Sequence, residues 1–181
     1  DKSWSGQQTG GYEIQSRKNK TIISAGSSAG LLYGAYHLLR LQQLQANVQG
    51  LNIVEKPSYA LRMLNHWDNL DGTVERGYAG HSLWKWSELP KKISPRYREY
   101  ARANASVGIN AVVLNNANAS PMILRSDYLG KVKALADIFR PYGIKVFLSI
   151  NFSSPKLLGQ LRDSDPFNPE GVKWWEKKAA G

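Results

Sequence analysis

The amino-acid sequence predicts an α/β protein, specifically the first three βα units of a (β/α)8 TIM barrel preceded by part of a small α+β domain. Two observations lead there. From residue 56 onward, short β-branched runs alternate with helical patterns bounded by capping residues, which implies parallel strands joined by crossover helices. Each of those runs is apolar through its body and polar at its C-terminal end, the pattern of α/β proteins that bind ligands at that end of the sheet.

The elements follow in order. Tyr12, Ile14 and Ser16 alternate with polar neighbours, Arg17-Lys18-Asn19-Lys20 turns the chain, and Thr21 to Ala25 returns as a β-branched strand, which together predict a hairpin. Gly26-Ser27-Ser28 then opens a helix whose apolar positions Leu31, Ala35, Leu38, Leu39 and Leu41 recur at helical spacing and fade near Gly50. The segment GSSAG lacks the closing Gly-Lys-Ser/Thr of a phosphate loop and reads instead as a strand-to-helix turn with serine capping. Past Glu55-Lys56-Pro57 the alternation begins. Ala60 to Asn65 forms the first strand; Ser94 caps a helix with Pro95 at its first position, ending at Gly108. Ile109 to Leu114 is the second strand. Ser126 caps a helix carrying Tyr128, Val132, Leu135, Ala136 and Phe139, stopped by Pro141 and Gly143. Ile144 to Ile150 is the third strand, and Asn168-Pro169 starts a third helix containing Trp174 and Trp175. A doubly wound sheet would share this alternation, but three units of roughly 35 to 50 residues following a small α+β domain suit the start of a barrel better.

Composition narrows the function classes. At 181 residues, 42% hydrophobic and 10% aromatic, the chain can bury a sizeable core. No apolar run approaches the ~18 residues of a membrane span, and no basic-then-apolar leader is present at the N-terminus. The first residue is Asp1 rather than Met, so a piece of a longer protein is expected. The absence of Cys excludes disulfides and thiolate metal sites, and fits cytoplasm and periplasm equally. The net charge of +10 invites a nucleic-acid partner, but the cations are scattered singly and in pairs without a nucleic-acid motif and read as a solvated surface.

The chemistry gathers at the strand ends. The stretch NHWDNLDGTVERGYAG, residues 65 to 80, crowds Asn65, His66, Trp67, Asp68, Asn69, Asp71 and Glu75 behind the first strand. The second strand ends in Asn115 and Asn116, and the third in Ser149, Asn151 and Ser153. Parallel pairing brings these ends to one side of the sheet, and buried polar groups need internal partners or a ligand. Amides and carboxylates satisfy sugar hydroxyls, and a ring such as Trp67, Trp84 or Trp86 suits the apolar face or an alkyl substituent of a pyranose. His66 reads as a hydrogen-bonded structural histidine. The three histidines, 37, 66 and 81, sit in no zinc-binding spacing, so neither a metal nor a cofactor is expected.

These residues also carry a resemblance. RMLNHWDNLDGTVERGYAG followed by SLWKW, with GINAVVLNNAN and GIKVFLSINFSSP at the next two strands, resembles glycoside hydrolase family 67, the xylan α-1,2-glucuronidases. The likeness covers nearly the whole chain. YEIQSRKNKTIISAGSSAGLLYGAYHLLRLQQL is similar to the end of the α+β domain that precedes the barrel in that family. The resemblance therefore implies that 1–55 is the C-terminal part of an N-terminal α+β domain and 56–181 the N-terminal part of a (β/α)8 catalytic barrel. It implies inverting hydrolysis of the α-1,2 bond between glucuronic acid, or its 4-O-methyl form, and xylose of xylooligosaccharides. In the family the general acid is a Glu at the end of a later strand and the base carboxylates lie later still. By matching segments they fall beyond Gly181, so no catalytic residue is assigned within this chain and the fragment alone is expected to be inactive. Within the pocket wall, Glu75 matches a position expected to accept hydrogen bonds from sugar hydroxyls, and Trp67 an aromatic expected to contact the uronic acid or its methyl group. Asp68, Asn69, Arg76 and Asn115 are second choices that could instead brace the loops. Two other readings stand beside this one: a non-catalytic carbohydrate-binding or sensor protein with a barrel crevice, and a nucleic-acid module. Three-eighths of a barrel would leave two open sheet edges, which predicts self-association into a homo-oligomer.

Overall fold

The computed structural model describes residues 10–118, 120–162, 165 and 167–180. Residues 1–9, 119, 163, 164, 166 and 181, which the expected domain spans 1–55 and 56–181 include, lie outside the described residues. The architecture is mixed α/β with two three-stranded sheets. By contact density the chain divides into two units, Asp1–Leu64, Ser94–Val112 and Ala136–Lys145 in one, Asn65–Ile93, Val113–Leu135 and Val146–Gly181 in the other.

In the first unit, β1 (Tyr12–Arg17) and β2 (Lys20–Ala25) form the expected hairpin, with Ile14 facing Ile23 in the antiparallel register. The loop is only Lys18-Asn19, and Lys18 takes a left-handed φ of +52°. α1 (Ser28–Gln43) begins where Ser27 Oγ accepts the Gly30 N–H at 3.1 Å, so the serine cap read from GSSAG is present. The buried face of this helix differs from the expected leucine stripe. Gly30, Tyr33 and Gly34 are buried, whereas Leu31 and Leu39 are about half exposed. The physical reason is close approach. A Cβ on Gly34 would lie 2.6 Å from Ile23 Cγ2, and one on Gly30 would lie 2.8 Å from Ala25 Cβ, so the two glycines let the helix axis settle on the hairpin where leucines could not.

A strand that local pattern did not predict, β3 (Asn52–Glu55), pairs antiparallel with the other side of β1, giving the order β2-β1-β3. Its Ile53 faces Ile14, which is fully buried. Two consecutive apolar residues in NIVE give no alternation to read; the strand exists because β1 offers it a free edge. This unit also holds α2 (Pro95–Ser106), capped by Ser94 with Pro95 at its first position as expected, whose Tyr97, Ala101 and Ala105 recur at i, i+4 and i+8 and are buried.

The second sheet has the order β4-β5-β6, formed by β4 (Met63–Asn65), β5 (Ala111–Val113) and β6 (Lys145–Phe147). Asn110 N–H donates to Arg62 O and Lys145 N–H to Asn110 O; further along, His66 N–H donates to Val113 O and Leu114 N–H to Phe147 O. Partner numbers rise together, so both pairings are parallel, as the alternation predicted. The strands are shorter than the expected runs 60–65, 109–114 and 144–150 because side-chain amides take over the ladder at their ends, as described below. α3 (Ser126–Phe139) buries Leu135 and Phe139 and passes through a 3-10 turn to Gly143, whose φ of +69° closes the element. Ser126 is the first residue of this helix rather than its cap.

In the second unit, Trp84, Trp86, Leu89, Leu114, Ile123, Leu124 and Leu135 are buried. Two short elements here were not predicted: a 3-10 turn over Pro121–Leu124, and α4 (Ser154–Gly159). α5 (Pro169–Ala179) starts as expected, with Asn168 Oδ1 accepting the Glu170 N–H at 2.9 Å. Among the described residues, no helix is long and apolar enough to cross a membrane.

Candidate functional site

All the polar strand ends that carry the candidate site lie in the second unit. Behind β4 the chain does not wander as a loop but folds into a tight hairpin. Asn69 N–H donates to Thr73 O at 2.9 Å, and Glu75 N–H donates to Trp67 O at 2.9 Å, with Asp68 bridging Val74. Asp71 turns it: its carboxylate accepts the Thr73 N–H at 2.9 Å and the Thr73 hydroxyl at 2.7 Å. Those two bonds, the backbone one first, hold the exposed Asp71 carboxyl below its usual range. Gly72 then accepts Ser82 N–H through its carbonyl, tying the hairpin to the segment that follows.

Asp68 is the buried anchor, 4% exposed. Its Oδ2 accepts the Ser82 hydroxyl at 2.5 Å and the Leu83 N–H at 3.2 Å, and its Oδ1 lies 3.4 Å from His66 Nδ1. Burial pushes its pKa up, but the hydrogen bonds from His66 and Ser82, the His66 charge and the Leu83 amide together outweigh it and hold the carboxyl below the ordinary range. Asp68 therefore stays ionised at neutral pH. His66 packs its ring 5.1 Å from that of Trp84, so the histidine is a structural partner of Asp68 and Trp84, as its sequence context suggested.

The remaining candidates separate by exposure. Trp67 is 48% exposed, whereas Trp84 and Trp86 are 1% and 2% exposed. The latter two therefore form core, and the expectation that either could stack on a sugar is corrected; nothing local distinguishes three tryptophans in SLWKW and HWDN. Arg76 is exposed and Glu75 half-buried, and neither side chain makes a hydrogen bond or ion pair with the described residues. Glu75 has a φ of +59°, in the left-handed region that favours glycine. Its carbonyl accepts Asn69 Nδ2 at 2.8 Å and Asn116 Nδ2 at 3.4 Å. Asn69 Nδ2 also donates to Thr73 Oγ1.

Asn115 is fully buried and its amide is spent on the neighbouring strand: Nδ2 donates to Ser149 O at 2.8 Å, and Oδ1 accepts the Ser149 N–H at 3.0 Å. Asn116, which the sequence reading placed at the strand end without assigning it a role, meets the hairpin directly. Its backbone N–H donates to Asp68 O at 2.8 Å, its side chain reaches the Glu75 carbonyl, and Oδ1 accepts the Asn118 N–H. The paired asparagines at a strand end were the only signal for it. Asn69 and Asp71 also line a cavity of about 480 Å³ with Leu70, Asn118, Ser120, Met122 and Tyr128. Trp67, Glu75 and Arg76 are outside that lining. Among the described residues no cluster of three or more His, Asp or Glu is gathered as a metal would require.

Parallel strands joined by helices, with hydrogen-bonding side chains collected at their carboxyl ends, define an α/β protein. Residues 41–181 match the glycosyl hydrolase family 67 middle domain, and the chain belongs to this family. Over 91% of its length it is 39% identical to α-glucuronidase A of Emericella nidulans and, at the same identity and coverage, to a "Probable alpha-glucuronidase A" of Aspergillus fumigatus. It is 37% identical over 92% of its length to α-glucuronidase A of Aspergillus tubingensis. The chain spans about one fifth (20%) of the length of these relatives.

Proposed function

We propose that this chain is part of an inverting α-glucuronidase, which hydrolyses the α-1,2 bond between glucuronic acid, or its 4-O-methyl form, and xylose of xylooligosaccharides. The observation that carries the reading is the hairpin behind β4, which presents half-exposed Trp67 and the unpartnered Glu75 carboxylate from adjacent positions, in a chain whose relatives are named α-glucuronidases. On this reading residues 56–181 are the first three βα units of a (β/α)8 barrel, and 1–55 the end of the domain before it.

The half-exposed Trp67 ring and the unpartnered Glu75 carboxylate support the roles proposed for them. The Trp67 ring packs on the apolar face of the uronic acid or on its methyl group. The Glu75 carboxylate accepts a sugar hydroxyl, and exposed Arg76 supplies a donor beside it. Asp68, Asn69 and Asn115, whose polar atoms are held by protein partners, serve the site by fixing its walls. Inversion needs a carboxylic acid and a carboxylate base about 6.5 to 9.5 Å apart. Asp68 is enclosed and its carboxyl is held below the ordinary range, which does not suit that acid; on this reading the catalytic pair lies elsewhere in the enzyme and this chain alone is inactive.

The test is kcat/KM against pH for Glu75→Ala in the complete hydrolase, on aldobiouronic acid. Loss of a charge-assisted acceptor costs roughly 1.5 to 3 kcal/mol, or about ten- to two-hundredfold. A bell-shaped profile retained at lower height is the expected result. Loss of its acid or basic limb would make Glu75 catalytic, and binding with no turnover by the complete protein would favour a carbohydrate-binding or sensor role instead.

A further inference from the structure

We propose that Asn69 and Asn116 are positioning residues, which clamp the Glu75 peptide through their side-chain amides and thereby aim the Glu75 carboxylate. The proposal rests on the reading of Glu75 as a sugar-binding acceptor and goes beyond it by naming what sets that carboxylate's direction. The starting observation is conformational. Four described residues other than glycine have positive φ: Lys18, Gln45, Glu75 and Gln160. Lys18 occupies a two-residue hairpin loop, Gln45 follows the C-cap of α1, and Gln160 is itself the C-cap of α4. At such places a left-handed residue is ordinary. Glu75 is the first central residue of a turn closed by the Gly77 N–H donating to Val74 O at 3.0 Å, and its carbonyl carries two side-chain bonds as well.

Beyond the turn, both backbone groups of Glu75 are held. The Glu75 N–H is committed to Trp67 O at 2.9 Å, and its carbonyl receives Asn69 Nδ2 at 2.8 Å and Asn116 Nδ2 at 3.4 Å. With both backbone groups held, the direction of the Cα–Cβ bond is fixed. The two amides come from different origins. Asn69 lies in the same hairpin as Glu75, whereas Asn116 is 5% exposed at the end of β5 and holds Asp68 O through its own N–H. Asn69 makes the shorter bond and is the principal clamp; Asn116 references the hairpin to the sheet. The carboxylate itself touches neither asparagine, which leaves it available to a ligand.

The consequence is energetic coupling between residues that never meet through their reactive groups, and a double-mutant cycle in the complete hydrolase reads it. Asn69→Asp keeps the shape of the side chain but sets an oxygen against the Glu75 carbonyl. The single variant should lose about tenfold or more in kcat/KM, approaching the loss seen for Glu75→Ala. In the Glu75→Ala background, Asn69→Asp should change kcat/KM by less than about twofold, because the carboxylate it aimed is gone. Its effect on thermal stability should appear in both backgrounds, which separates positioning from simple weakening of the fold. Additive losses in kcat/KM would overturn the clamp while leaving Glu75 as a sugar ligand. An unaffected Asn69→Asp single variant would do the same. A silent Glu75→Ala would remove the underlying reading and the clamp with it. Should Asn69→Asp fail to fold, the same cycle run with Asn116→Ala, which removes the longer bond to the Glu75 carbonyl together with the bond from the Asn118 N–H, decides between the same outcomes with a smaller expected loss of about threefold.

Discussion

Replacing Asp68 by Ala should be among the most costly single changes in the second unit. The carboxylate is almost fully enclosed and accepts the Ser82 hydroxyl and the Leu83 amide while facing His66. Truncation removes one hydrogen-bonded anion and strands these partners against a small void. Leaving buried hydrogen-bond partners of a carboxylate unsatisfied costs about 1 to 3 kcal/mol, and the void adds to it, a large fraction of a typical domain's stability. A loss of that size would be conspicuous in urea denaturation followed by circular dichroism. The pH dependence supplies a second reading. Because the folded-state pKa is depressed below the usual carboxylate value, the stabilising contribution is fully present above that value and is lost as pH falls through the lower, folded-state one. The wild type should therefore lose stability on acidification below about pH 4, and Asp68→Asn should show a shallower slope there. A change under about 1 kcal/mol at neutral pH for Asp68→Ala, or identical acid slopes for wild type and Asp68→Asn, would refute the account of Asp68 as an ionised anchor.

Two further perturbations probe the scaffold. Gly34→Val should destabilise the first unit by roughly 1 to 3 kcal/mol through overpacking, since its Cβ would sit 2.6 Å from Ile23 Cγ2 and 3.2 Å from the Tyr12 ring, whereas Gly130→Ala, on the open face of α3, should be neutral or stabilising; melting temperatures compare them directly. Residues 1–181 prepared alone should self-associate, because among the described residues β4 and β6 each present an unpaired edge and Leu64, Phe147, Ile150 and Phe152 are 39% to 70% exposed; a concentration-independent monomer in sedimentation velocity would contradict this.

What could be read from the sequence was what local chemistry dictates. Ser27, Ser94 and Asn168 announced their helices because a cap is a local hydrogen bond, and the three parallel strands announced themselves by apolar bodies with polar ends. β3 escaped because its reason to exist, the free edge of β1, is separated from it by the whole of α1. The buried face of α1 was misjudged for a similar reason: leucines mark an amphipathic stripe, but two glycines decided how closely the hairpin could approach. At the site, Glu75 and Trp67 were singled out by resemblance, while the hairpin that joins them is closed by backbone hydrogen bonds and the Glu75 carbonyl meets amides from Asn69 and Asn116. No spacing rule connects residue 116 to residue 75. Exposure likewise separated Trp67 from Trp84 and Trp86 only once the chain was folded.

The two asparagines that bracket β5 make its short length tolerable. At one end, Asn110 Oδ1 accepts the Arg62 N–H at 2.8 Å while its Nδ2 donates to Ala60 O at 2.8 Å; at the other, Asn115 bonds both the N–H and the carbonyl of Ser149. Each side chain imitates a peptide unit, adding one rung toward β4 at the strand's start and one toward β6 at its finish. Three apolar residues in a row, Ala111, Val112 and Val113, could pair equally well if displaced along the neighbouring strands, since their side chains carry no directional information. The amide stops remove that freedom. A displacement of a single residue would unmake four hydrogen bonds at once, so β5 behaves like a key with teeth at both ends, and length changes in the connecting loops are absorbed by the loops instead of the sheet.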